Sequence, residues 1–168
     1  MGKKICIAIA AALALSYSGA LAYFFFAHYT AAEALQDKTI NEYSCDVTGT
    51  GEYGGVWIGW MKASFIAYAI LSAIALLALI GAFLPSLRGA AGCCTCCANI
   101  FALTCTIGLT VIRFGEAGSV CATQAGKPLS GVSAAFEQDG IFLKNAVIAI
   151  WCLCCFHCCM LNAGLNPN

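Results

Sequence analysis

Residues 5–29 contain no Asp, Glu, Lys or Arg, and this uncharged run constrains the fold more than any motif in the chain. About 20 helical residues suffice to cross the ~30 Å hydrocarbon core of a bilayer. Three further stretches have the same character. Residues 57–84 carry only Lys62, residues 93–112 end against Arg113, and residues 141–160 carry only Lys144 near their start. Pro85 stops the second run, as it would stop a helix. A soluble globule cannot hide four such segments. Charged residues make up 10% of the chain and apolar residues 61%, against ~25% charged in soluble domains. Disorder is excluded because the chain is too apolar and too nearly neutral. Eight basic and eight acidic residues cancel, leaving no basic footprint for nucleic acid. The expectation is therefore an all-α integral membrane four-helix bundle, a single four-transmembrane domain over 1–168. Its spans lie near 5–29, 57–84, 93–112 and 141–160, with outer loops at 30–56 and 114–140.

The first segment shares features with a cleaved signal peptide: Lys3 and Lys4 precede an apolar run, and Ala20-Leu21-Ala22 has the small-x-small form of a cleavage site. The apolar run continues through Tyr23-Phe24-Phe25-Phe26-Ala27, which is longer than a signal core, so the segment reads as an uncleaved signal-anchor helix. All eight acids lie in or beside the two loops, while the opposite end carries Lys3, Lys4 and Arg88 in very short pieces. Basic density in short flanks sets orientation and acids count for little, which puts both termini in the cytoplasm. A plasma or secretory-pathway membrane fits this layout. Tyr23 to Phe26, Tyr29, Trp57 and Trp60 gather at the loop end of the first two spans, where aromatic rings settle at headgroup level or pack between helices.

Of 13 cysteines, only Cys45 and Cys121 fall in the loops, one in each. On an oxidising side of the membrane they are expected to form a disulfide joining the loops. The others lie in or beside the spans, notably Cys93-Cys94-Thr95-Cys96-Cys97 and the Cys152 to Cys159 cluster. Three readings compete for them. Cysteine can serve as a small apolar packing residue. Thiols near the cytoplasmic interface can be S-acylated, which suits Cys6, Cys93, Cys94, Cys158 and Cys159. The C-x-x-C pairs Cys93/Cys96 and Cys94/Cys97, with His157 beside Cys158, could ligate a metal or iron–sulfur cluster, although ligands usually need a turn to converge. No metal site is expected.

Helix packing has the clearest signal. Ala10, Ala14, Ser18 and Ala22 recur every four residues in the first span, and Ala69 and Ala73 do so in the second. Small residues at this spacing let helix backbones approach closely in lipid, either within the chain or between chains. Catalytic patterns are not found. Gly126-Lys127-Pro128 lacks the flanking residues of a phosphate loop. His28 and His157 sit at opposite ends of the membrane and are expected to lack a carboxylate neighbour. No cofactor is expected beyond bound lipid.

Four spans, inner termini and two outer loops resemble the small tetraspan layout of claudin-like and MARVEL-type proteins. Val56-Trp57-Ile58-Gly59-Trp60 is similar to the claudin first-loop Trp-Gly-Leu-Trp segment, though that family's two loop cysteines do not follow it. The residues imply a non-enzymatic protein that works by lateral association, as a scaffold or accessory subunit. Its partners would be the bilayer and other membrane subunits or further copies of itself. The alternatives are a pore-forming subunit or a cofactor- or pigment-holding subunit of a membrane complex.

Overall fold

A computed structural model describes residues 2–36, 53–115 and 134–165, with side chains over 4–35, 55–84, 86–87, 94–115 and 138–153. Among these residues the chain forms four α-helices: α1 (Gly2–Gln36), α2 (Tyr53–Gly81), α3 (Arg88–Phe114) and α4 (Ala134–Leu165). A 3-10 turn at Pro85–Leu87 joins α2 to α3. Three helices contain segments long and apolar enough to cross a membrane: Lys4–Leu35, Gly55–Gly81 and Cys94–Phe114. The shortest has 21 residues, about 31 Å of helix, which matches the hydrocarbon core.

The helices extend beyond the apolar runs that announce them. α1 continues through Thr30-Ala31-Ala32-Glu33-Ala34-Leu35 to Gln36, a stretch rich in good helix formers. α4 begins at Ala134, before its apolar run. Parts of both expected outer loops are therefore helical, because backbone pairing does not stop where the hydrocarbon does.

Each helix packs on the next, and α4 returns to α1, so the four form an antiparallel ring. Inward-facing positions step by four and three residues along every helix. On α1, Ala11, Ser18, Ala22, Phe25 and Ala32 are buried, with Leu15 and Tyr29 half-buried between them. α2 buries Trp57, Met61, Ser64, Tyr68 and Ala75 on the same pattern. α3 buries Ala98, Ala102, Cys105, Leu109 and Ile112, and α4 buries Asp139, Leu143, Ala146 and Ile150. This four-three spacing is the one that keeps a single stripe of each helix turned toward its neighbours in a helix bundle. A second face of α2 sets Ala67 against Ala102 and Cys105 of α3.

The large buried side chains Phe25, Trp57, Met61, Leu109, Leu143 and Val147 all sit in the half of the bundle nearer the two long connections, called here the loop end. Toward the opposite, terminal end, Ile5, Ile9, Leu13, Leu77, Phe83 and Ile100 are exposed, as lipid-facing side chains are. Trp57 is fully buried rather than interfacial, and Trp60 lies against Gly108, where an added Cβ would fall 2.1 Å from its ring. Tyr23, Phe24 and Phe26 are exposed on α1, in the position of headgroup-level aromatics.

Candidate functional site

In lipid, apolar side chains gain nothing by leaving the tails for each other, so helix association depends on close packing and interhelical hydrogen bonds. Among the described residues, each of the four seams of the ring carries a side-chain bond. Between α1 and α2, Ser18 Oγ lies 3.1 Å from Ser72 Oγ. Between α2 and α3, Tyr68 OH lies 3.4 Å from Thr106 Oγ1. Between α3 and α4, Trp151 Nε1 donates to Thr110 Oγ1 at 3.1 Å. Between α4 and α1, His28 Nδ1 lies 2.5 Å from Asp139 Oδ1.

The first three share one piece of chemistry. Ser18, Thr106 and Thr110 each give their hydroxyl hydrogen to a carbonyl four residues back, those of Ala14, Ala102 and Thr106, at 2.7–2.9 Å. A hydroxyl has one hydrogen and two lone pairs, so each is left as an acceptor. Ser72, Tyr68 and Trp151 are therefore the donors across the seams. Such bonds are worth about 0.6 kcal/mol each on average in membrane proteins, and they set register more than they set stability.

The fourth seam is different in kind. An ionised carboxylate only accepts, so Nδ1 of His28 carries the hydrogen and donates to Asp139. The imidazole stacks flat on Phe142, with centroids 3.8 Å apart and planes 7° apart, and Phe25 meets the other ring edge-to-face at 5.3 Å. One residue further along α4, the Gly140 carbonyl accepts a bond from Nε of the buried Arg113 at 2.7 Å. The second turn of α4 is thus gripped from one side by α1 and from the other by α3. A nearby exposed pair, Lys62 and Glu33 at 3.5 Å, ties α2 to α1 at the same level. Lys62 also lies 5.6 Å from the Tyr29 ring centre.

This corrects the expectation that His28 lacks a carboxylate neighbour. Asp139 was read as a loop acid, but α4 starts early enough to bring it onto the inward face. His28, Arg113 and Asp139 were not chosen from the sequence as site residues. The available signal was that all three ionisable groups fall at the loop ends of different spans, and so at one level.

The residues that were chosen divide. Ser18 and Ala22 are buried, Ala69 is half-buried, and Ala10, Ala14 and Ala73 are exposed. The four-residue row on α1 crosses the inward row at Ser18 and Ala22 and leaves it at Ala14. Cys6 and Cys94 are exposed thiols. Cys45 and Cys121 lie outside the described residues, as do the side chains of Cys93, Cys158 and Cys159. Cys105 is buried between α2 and α3, while Cys96, Cys97 and Cys152 are exposed.

Long apolar helices in one antiparallel ring define an all-α, multi-pass integral membrane protein. No family model, curated protein or solved structure matches the chain.

Proposed function

We propose that the protein is a non-enzymatic scaffold or accessory subunit that works by lateral association in the bilayer. In this reading all four helices cross, with both termini on the cytoplasmic side. The observation that carries it is the exposure of Ala10 and Ala14. At 100° per residue these positions share the azimuth of Leu21 and His28, which are covered at the loop end. At their own level the same small-residue face is open to the bilayer. A helix from another subunit, or a second copy, can approach closely there.

Replacing both Ala10 and Ala14 with Leu should leave the monomer folded and lower the mass of the native assembly by at least one subunit. Ser18→Leu, which instead strikes the Ser72 contact, should destabilise the fold itself. Native mass spectrometry in detergent reads both. An isolated monomer of unchanged mass in every variant would sink the proposal.

The proposed orientation places residues 37–52 and 116–133 in an oxidising compartment, where Cys45 and Cys121 pair. The unreduced full chain should then migrate faster than the reduced chain on a denaturing gel, and Cys45→Ser should abolish the difference. Equal mobility of wild-type protein before and after reduction would exclude the bond.

A further inference from the structure

The exposed thiols differ in depth, and depth separates two classes of cysteine. Arg113 and His28 mark one level at the loop end, since both grip adjacent residues of α4. Cys94 lies 19 residues from Arg113, about 28 Å down α3, and Cys6 lies 22 residues from His28, about 33 Å down α1. A hydrocarbon core of ~30 Å puts both thiols at the terminal edge of the membrane, on two different helices. Both are exposed. Lys4, also exposed, is beside Cys6, and Arg88 opens α3 a turn and a half before Cys94. Basic residues in such a flank favour a membrane surface bearing anionic headgroups. Cys152 is also exposed, but at 13 residues from Asp139 it has descended only about 20 Å and remains inside the hydrocarbon. Cys105 is buried and lies near the bilayer middle. Among the described residues no three metal-ligating side chains converge.

We propose that Cys6 and Cys94 are S-acylation sites, accepting a long-chain acyl group from an acyl-coenzyme A. The cysteine sulfur attacks the thioester carbonyl carbon, a new sulfur–carbon bond forms, and the bond to coenzyme A breaks. Coenzyme A leaves as its thiol with the proton the cysteine gives up, and nothing is oxidised or reduced. The acyl chain then runs into the bilayer alongside the helix that bears it. At the terminal edge the sulfur meets the water-borne donor while its product reaches hydrocarbon at once, which neither Cys105 nor Cys152 can do. Two chains on diagonally placed helices of the ring thicken the apolar surface at the end where the large side chains are least buried.

The inference rests on the proposed orientation, because acyl-coenzyme A is found on the cytoplasmic side. The full chain is purified from its own membrane and mapped by peptide mass spectrometry with and without neutral hydroxylamine. Hydroxylamine-sensitive acyl groups are expected on Cys6 and Cys94, with Cys105 and Cys152 unmodified. Cys6→Ser and Cys94→Ser should each remove one acyl chain from the intact mass, and Cys152→Ser should remove none. In parallel, an antibody to an N-terminal tag should bind only after permeabilisation. Free thiols at Cys6 and Cys94 with the tag shielded would overturn the acylation itself. Free thiols with the tag exposed would show that the orientation had failed first. Acyl groups on Cys152 at the level found on Cys6 would overturn the depth argument.

Discussion

Replacing His28 with alanine should destabilise the bundle by about 2 kcal/mol, within the range for removing one partner of a hydrogen bond to a buried carboxylate. The variant leaves the carboxylate of Asp139, whose residue is 6% exposed, without its imidazole donor. Asp139→Leu should cost less, about 1 kcal/mol, because the abandoned imidazole has a side chain 29% exposed and recovers a hydrogen bond from water. That asymmetry is the diagnostic feature. Unfolding by denaturant in detergent micelles measures both, and the double variant closes the cycle. Equal costs for the two single changes, or a coupling near zero, would mean that the pair does not hold α4 to α1. The bond matters because, among the described residues, α4 packs less extensively than α1 and α2 do on each other.

Gly108→Ala should destabilise by about 2 kcal/mol, within the range of core overpacking. The added carbon would sit 2.1–2.5 Å from three atoms of the Trp60 ring, so the indole must leave its place between α2 and α3. On an open helix surface the same change should stabilise by up to about 1 kcal/mol, since alanine is the better helix former. The sign therefore reports the ring. In a Trp60→Ala background, Gly108→Ala should become neutral or stabilising, a reversal that thermal unfolding in detergent can resolve. A destabilisation of equal size in both backgrounds would show that Trp60 is not the obstacle.

The three long apolar helices were legible because charge is excluded from hydrocarbon, and the sequence wrote that exclusion as uncharged runs. The faces of the helices were not. In water an inward face is marked by apolar residues, but in lipid both faces are apolar and the marker disappears. Here the inward row even includes Ser18, Ser64 and Thr106, while Ile9, Leu13 and Ile100 look outward. The four-residue row of small residues on α1 was visible, but the seam follows a four-three alternation that meets it only at Ser18 and Ala22. His28 and Asp139 are 111 residues apart. Their meeting depends on the register of α1 against α4 and on a helix start that precedes the apolar run. Neither is written locally.

The hydroxyls that bond back along their own helices have a consequence for biogenesis. Ser16, Ser18, Thr30, Thr104, Thr106 and Thr110 each give their hydrogen to a carbonyl four residues back, so those donors are satisfied before a neighbour arrives. Those hydroxyls therefore ask nothing of a neighbouring helix when their own helix enters hydrocarbon. His28 of α1 and Arg113 of α3 differ, because both are bonded to the second turn of α4. Those two contacts can form only when α4 meets α1 and α3, so the loop end of the ring closes after the hydroxyls are already satisfied.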